Sequence, residues 1–215
     1  MVHLRPHTAE FDTWSATGSS GWSWDSILPY FKKSEHLQLP SISQQAQGAS
    51  YLAEVHGFDG PLDIGWSPNL NSTDFAKALN STWCSLGLEW NAEPNRGDLA
   101  GLFFYPSQYD LERGAIREDA ARAYYWPVAN RSNLYTFTNT TAIRIPLQTT
   151  PGRMIATGVD VSTDKGVETV SARREVILSA GAYRSPGLLE VSGIGNPRQV
   201  DCVLLTESFM LTMSE

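Results

Sequence analysis

Residues able to act on a substrate are scattered along the 215-residue chain. His3 and His7 have i,i+4 spacing, but Pro6 between them opposes a shared helix face, and no Asp, Glu or Cys completes a zinc set. Ser19 and Ser20 sit between Gly18 and Gly21. There is no Gly-x-Ser-x-Gly elbow and no motif placing a histidine as base, so hydrolase chemistry is not supported. Glu118 and Asp119 are adjacent, which on a helix turns them about 100 degrees apart, the geometry of a solvated face or a cap. Cys84 and Cys202 are too few for a disulfide scaffold, lack a CxxC partner set and are expected to be unpaired. These side chains yield no catalytic residue and no metal ligand.

Backbone chemistry is better represented. The run Arg174 to Ser179 is continuously apolar through Val176-Ile177-Leu178, as a strand buried on both faces would be. It leads into Ser179-Ala180-Gly181-Ala182, and Ser185-Pro186 then reads as helix N-cap and first helical residue, with Gly193 as the stop. A tight glycine turn from strand to helix lets a ligand approach the backbone, and free N–H groups at a helix start attract anions such as a dinucleotide pyrophosphate. Gly193-Ile194-Gly195 lacks the third glycine and follows a helix, so it fails as a phosphate loop.

The elements that must carry this turn come from periodicity. Residues 10 to 36 begin with Gly/Ser turn chemistry and continue with Trp22, Trp24, Ile27, Leu28 and Phe31, a short buried aromatic helix ending at Lys32 and Lys33. Residues 37 to 72 are rich in Gln, Ser, Pro and Gly and read as a long excursion with at most short strands around the turn at 56–61. From Ser72 or Thr73 as N-cap, Phe75, Ala78, Leu79, Thr82 and Leu86 fall at helical spacing, with Gly87 at the C-terminal position. A helix over Arg117 to Trp126 is stopped by Pro127. The period then changes to 2 for three β-type runs, Asn133 to Pro146, Arg153 to Ser162 and Gly166 to Ser179, separated by Thr-Pro-Gly and Asp-Lys-Gly turns.

Composition narrows the classes. With 41% apolar and 18% charged residues the chain lacks the signature of disorder. Sixteen basic against 23 acidic residues, a net charge of -7, oppose nucleic acid as a partner. No run approaches the ~18 to 20 apolar residues of a membrane span, and the first residues lack the apolar region of a secretory signal. Sequons at Asn71, Asn80, Asn130 and Asn139 nevertheless point to a secreted glycoprotein, and so to a parent protein whose signal lies outside this sequence.

Residues 181 to 195, GAYRSPGLLEVSGIG, resemble the second signature of the glucose-methanol-choline oxidoreductases, flavoenzymes that oxidise alcohols with FAD. Similar stretches run from RPHTAEFDTW at 5–14 through GWSWDSILPYFKKSE, HGFDGPL and IREDAARAYYWP to NLYTFTNTTAIRI at 133–145. Arg5-Pro6-His7 and Asp119-Ala120-Ala121-Arg122 are most similar to the fungal glucose oxidase branch.

The resemblance implies an α+β fold: a partial FAD-binding, Rossmann-like domain with a β-meander, plus part of the substrate-binding domain. It divides the chain into an FAD-domain and lid segment (1–45), part of the substrate-binding domain and helices (46–130), FAD-domain strands with the second signature (131–200) and a divergent tail (201–215). Carried over by position, Ala142 matches the backbone that meets the adenine end of FAD. Ser179, Ala180, Gly181 and Ala182 match the turn near the cofactor, and Met1 and Val2 match the end of the loop beside the flavin. The family's GxGxxG turn lies before the position of Met1, and its His plus His or Asn pair beyond Val200 has no counterpart, so no catalytic residue is assigned. The implied activity is oxidation of a small-molecule alcohol or sugar with hydride passed to FAD, in a chain expected to be an incomplete, inactive piece. The competing expectations are a non-catalytic secreted glycoprotein module and a piece that does not fold stably.

Overall fold

The computed structural model describes residues 2–70 and 73–196; Met1, the sequon Asn71, Cys202 and the 201–215 tail lie outside them. The chain forms two compact units, Met1–Leu134 and Tyr135–Glu215.

In the first unit, helix α1 (Thr8–Ala16) starts at His7, whose Nδ1 accepts the Ala9 N–H at 3.1 Å. Helix α2 (Trp24–Ser34) carries Lys32 and Lys33 in its last turn, where they complement the helix dipole. Phe11 and Trp24 are buried between these helices and pack with Phe31, the Phe11–Phe31 centroids 5.7 Å apart. Trp14 and Trp22 remain about half exposed, so only part of the aromatic run is core.

The chain leaves α2 directly into strand β1 (Glu35–Leu37), which pairs in parallel with β2 (Leu62–Ile64). Between them lie helix α3 (Ile42–Ala46), started by a Ser41–Gln44 capping box, and a 3₁₀ turn over Ala53–Val55. Although its polar composition reads as a loop, this stretch holds the hydrophobic core cluster, Leu37, Ala49, Ile64 and Trp66. Two glycines allow it to close. A Cβ on Gly57 would stand 1.8 Å from the Lys32 carbonyl oxygen, and one on Gly60 2.3 Å from the Ser34 carbonyl carbon. The 56–61 turn therefore lies against the α2–β1 junction, where the Gly60 N–H donates to the Glu35 carbonyl at 2.9 Å.

Helix α4 (Asp74–Ser85) forms as its spacing indicates, with Thr73 Oγ1 accepting the Ala76 N–H at 3.1 Å. Its apolar stripe is not buried: Phe75 and Leu86 are mostly exposed. Strands β3 (Tyr109–Asp110) and β4 (Ile116–Arg117) make a small antiparallel pair. The helix expected over Arg117 to Trp126 is replaced by β4, a π-helical turn (Ala121–Tyr125) and a 3₁₀ turn (Trp126–Val128). Arg117 is held in the β pair, and Pro127 has no N–H with which to continue an α-helix.

The second unit is a β-meander. Strands β5 (Thr141–Arg144), β8 (Gly158–Thr163) and β9 (Gly166–Ser171) form an antiparallel sheet in the order β5-β8-β9, and the hairpin of β6 (Leu147–Thr150) and β7 (Arg153–Ala156) is inserted after β5. Asp160 unites the three sheet strands. It accepts from Arg144 at 2.8 and 3.0 Å and from Thr169 at 2.7 Å. Helix α5 (Gly181–Val191) attaches to the end of β5 through Ser192, whose Oγ accepts the Ile145 N–H at 2.8 Å.

Two expectations change here. Arg174 to Ser179 is not a strand: no strand lies beside it among the described residues, its backbone has no ladder, and Ile177 is 78% exposed. Helix α5 begins at Gly181, placing Ser185 and Pro186 inside it; Ser185 Oγ accepts the Ala180 N–H at 3.0 Å and so still serves the helix start.

Replacing Gly57 by Ala should cost about 3 kcal/mol or more in chemical denaturation, because the new Cβ meets backbone that cannot yield. Phe75→Ala on the exposed stripe of α4 should stay within about 0.5 kcal/mol.

Candidate functional site

The densest set of titratable groups surrounds Glu35, which is fully buried at the start of β1. Its Oε2 accepts from Arg5 Nη2 and from the Gly57 N–H, both at 2.8 Å. Its Oε1 lies 3.1 Å from His56 Nδ1, and His56 Nε2 lies 3.0 Å from Glu93 Oε2. A ring between two carboxylates is favoured in its doubly protonated form, which can donate from both nitrogens. Arg5 and His56 thus balance Glu35 and Glu93. His3 Nε2 stands 2.9 Å from Glu35 Oε1 at ion-pair distance, without the alignment of a hydrogen bond.

Arg5 also donates to the carbonyls of Val55, at 2.6 Å, and Asn95, at 3.1 Å, while its own N–H reaches Asn95 Oδ1 at 2.9 Å. Glu93 accepts the Leu52 and Asn95 N–H groups. Burial raises the Glu35 carboxyl, but His3, His56 and Arg5 around it outweigh that effect and bring it down to about 2. Burial lowers His56, and its two carboxylates reverse the effect, raising it above 6.5. Removing one partner of such a set leaves a buried charge uncompensated, a loss of about 3–5 kcal/mol.

A second cluster brings together oxygens of Asp63, Asp110 and Glu118 within 4.8 Å. Each is already engaged: Asp63 by His36 at 2.6 Å, Asp110 by Arg113 at 3.1 Å and Glu118 by Arg122 at 3.1 Å. Gln38 donates to both aspartates at 3.3 Å. Glu118 is therefore buried rather than on a solvated face, whereas Asp119 does cap, accepting the Arg122 N–H at 3.0 Å. Neither cluster has a local sequence signal, because its carboxylates come from separate segments of the chain.

Among the residues the sequence points to, Val2 belongs to the first unit, is 55% exposed and pairs with Ser107. His3 and His7 part company, one at Glu35 and the other capping α1. Cys84 is an exposed free thiol. The second unit holds Ala142 and Ser179 to Ala182, all exposed. Ala142 lies on the edge strand β5, opposite Val161 and beside a bulge, so backbone groups on the free edge remain available. Gly181 has φ +90°, and no atom lies within 4 Å of where its Cβ would be. Ala180 caps α5 without a side-chain hydrogen bond, leaving N–H groups at the helix start. An open strand edge and an uncapped helix start among small residues fit a flat heterocycle carrying phosphates.

This α+β architecture is that of a partial FAD-binding domain. It superposes with a TM-score of 0.82 and 30% identity on an FAD-dependent oxidoreductase from Chaetomium thermophilum, covering 92% of this chain and 33% of that one. A fungal aryl-alcohol oxidase, 24% identical with a TM-score of 0.80 over 94% of this chain and 34% of its own, shares the fold. Residues 1–207 match the sequence profile of the GMC oxidoreductases, and the chain belongs to that family. It is similar to the glucose oxidase-like protein fsoC of Humicola fuscoatra, 44% identical over 86% of this chain and 32% of the relative. It is also 35% identical to glucose oxidase 2 of Penicillium expansum, over 93% of this chain and 33% of that protein. The chain spans about a third of the length of these relatives.

The Glu35 set dictates a pH window. Its depressed carboxyl contributes stability in full above 4.5, lost as pH falls toward about 2. The elevated His56 contributes in full below 6.5, lost as pH climbs through its raised value. Urea midpoints of the chain should therefore peak between about 4.5 and 6.5 and fall on both sides.

Proposed function

We propose that this chain supplies the adenine and phosphate contacts of an FAD-dependent oxidoreductase acting on CH–OH donors, a small alcohol or a sugar. Family membership and the similarity to glucose oxidase-like proteins support the reaction class. The observation that carries the cofactor is the pairing of a free β5 edge at Ala142 with an uncapped, small-residue start of α5 in one unit.

Bound FAD would supply the hydride acceptor. The chain's own part is to hold it. Backbone groups at Ala142 would meet the adenine end. Ser179, Ala180, Gly181 and Ala182 would let the cofactor approach the turn, where the N–H groups opening α5 favour phosphate charge. No residue here matches the proton-abstracting histidine pair, so the chain alone would bind without turnover. No nucleic-acid or membrane partner enters this reading, and no described helix is long and apolar enough to cross a membrane.

Secretion and glycosylation belong to the same proposal. Asn130 is exposed in a turn, and Asn139 is exposed with φ +53°, both open to a glycan, whereas Asn80 is half-buried within α4. After passage through a eukaryotic secretory pathway, endoglycosidase should remove mass from the wild type, and N130Q and N139Q should each lose one step of it.

The cofactor reading is tested by incubating the chain with FAD, removing free flavin and recording the visible spectrum. The wild type should retain a flavin band. Gly181→Val, which forces a branched side chain into a left-handed conformation and narrows the turn, should lose it. Equal retention by both, or by neither, would contradict the assigned turn.

A further inference from the structure

We infer that the pocket between the start of β5 and the β8–β9 turn is a sugar site that the chain fills itself: the first N-acetylglucosamine of a glycan on Asn139 sits there and fixes the turn. This placement rests on the glycosylation of Asn139 proposed above, and adds to it where the sugar goes and which groups hold it.

Strand pairing within the second unit builds the pocket. Thr141 stands opposite Ser162, and Thr163 opposite Gly166, so the residues just before β5 meet the turn that joins β8 to β9. A cavity of about 370 Å³ opens at that meeting, lined by residues 138–140, residues 163–165 and Glu168. Asn139, the acceptor of the Asn139-Thr140-Thr141 sequon, therefore stands in its wall. Its backbone is left-handed, with φ +53°, a conformation that asparagine adopts more readily than most residues.

The lining suits hydroxyls and an acetamide. Its threonines are already bonded to backbone: Thr140 Oγ1 donates to the Thr138 carbonyl at 3.1 Å, and Thr163 Oγ1 donates to the Gly166 carbonyl at 3.1 Å while accepting the Lys165 N–H at 3.2 Å. The charged side chains are not engaged. Asp164, Lys165 and Glu168 make no ion pair or side-chain hydrogen bond among the described residues. One ammonium and two carboxylates offer both donors and acceptors to a neutral sugar. A free ligand would find such a place poor, because small-molecule pockets of about 300–1,000 Å³ are mostly apolar. A sugar joined to Asn139 meets a different condition. The link makes its contacts intramolecular, so polar contacts too weak to recruit a free sugar can seat a tethered one. A volume near the lower end of that range takes one ring, with the rest of the glycan in solvent. The sugar does not compete with a cofactor at Ala142, because the pocket lies on the side of β5 paired with β8 and the cofactor reading uses the free edge.

The test is hydrogen–deuterium exchange at the amides of residues 164–168 in two forms of the full chain. One is secreted from a eukaryotic host and trimmed with endoglycosidase H, which leaves a single N-acetylglucosamine on each occupied asparagine; the other is made without sugar in a bacterial host. The single-sugar form should exchange about fivefold or more slowly at 164–168. K165A/E168A, whose sequon is intact, should lose that difference while peptide mass shows Asn139 still occupied. Absence of sugar from Asn139 in the secreted chain would overturn the glycosylation of that residue and this placement with it. An occupied Asn139 with equal exchange in the two forms would leave glycosylation standing and overturn the placement, as would slowing that K165A/E168A keeps in full. If the double variant does not fold, the untrimmed wild type decides: slowing that vanishes on trimming to one sugar would be shielding by the outer glycan and would contradict the pocket, whereas slowing that survives trimming would support it.

Discussion

The first unit is organised around one buried carboxylate. Glu35 receives donors from Arg5, His56 and the Gly57 backbone, with His3 at ion-pair distance, so three stretches distant in sequence meet where β1 begins. Burying that charge is unfavourable unless every oxygen is served, and here each is. The requirement propagates outward. Between two carboxylates His56 is favoured in its charged form, Glu93 must be present to balance it, and positions 57 and 60 must be glycine for the turn to come close enough. The hydrophobic cluster of Leu37, Ala49, Ile64 and Trp66 is assembled by the same β1–β2 pairing.

The second unit follows different rules. Its sheet is united by Asp160, which takes Arg144 from one neighbouring strand and Thr169 from the other, and much of its surface remains open. A site made of backbone at an open strand edge and a helix start needs small residues more than reactive ones. Ala142, Ala180, Gly181 and Ala182 have that character, and the proposed FAD site would be built from them rather than from nucleophiles and bases.

Legibility in the sequence tracks locality. Helix α4 was readable from Thr73 and Gly87, and the meander from Thr150-Pro151-Gly152 and Asp164-Lys165-Gly166, because caps and turns depend on neighbouring residues. The strand expected over Arg174 to Ser179 fails because an apolar run becomes a strand only when other strands lie beside it, a fact no window of sequence contains. Residues 37 to 72 mislead for the opposite reason: their Gln and Ser content hides a core held by side-chain bonds such as Gln44 to the Trp66 carbonyl, at 2.8 Å. The Glu35 set, whose hydrogen-bond partners lie 21 to 30 residues away, and the Asp63–Asp110–Glu118 cluster have no sequence signature at all. The α+β class and family membership were legible, since signature residues 181–195 lie together.

In the proposed reading this chain recognises the adenine–phosphate half of FAD through backbone at β5 and the start of α5. A fluorescence titration of FAD into the wild-type chain, repeated in the presence of ADP, addresses it most directly. Saturable binding at one site that ADP displaces is expected, with riboflavin, which lacks the adenine and the phosphates, failing to compete. Absence of saturable binding, or displacement by riboflavin but not by ADP, would contradict it.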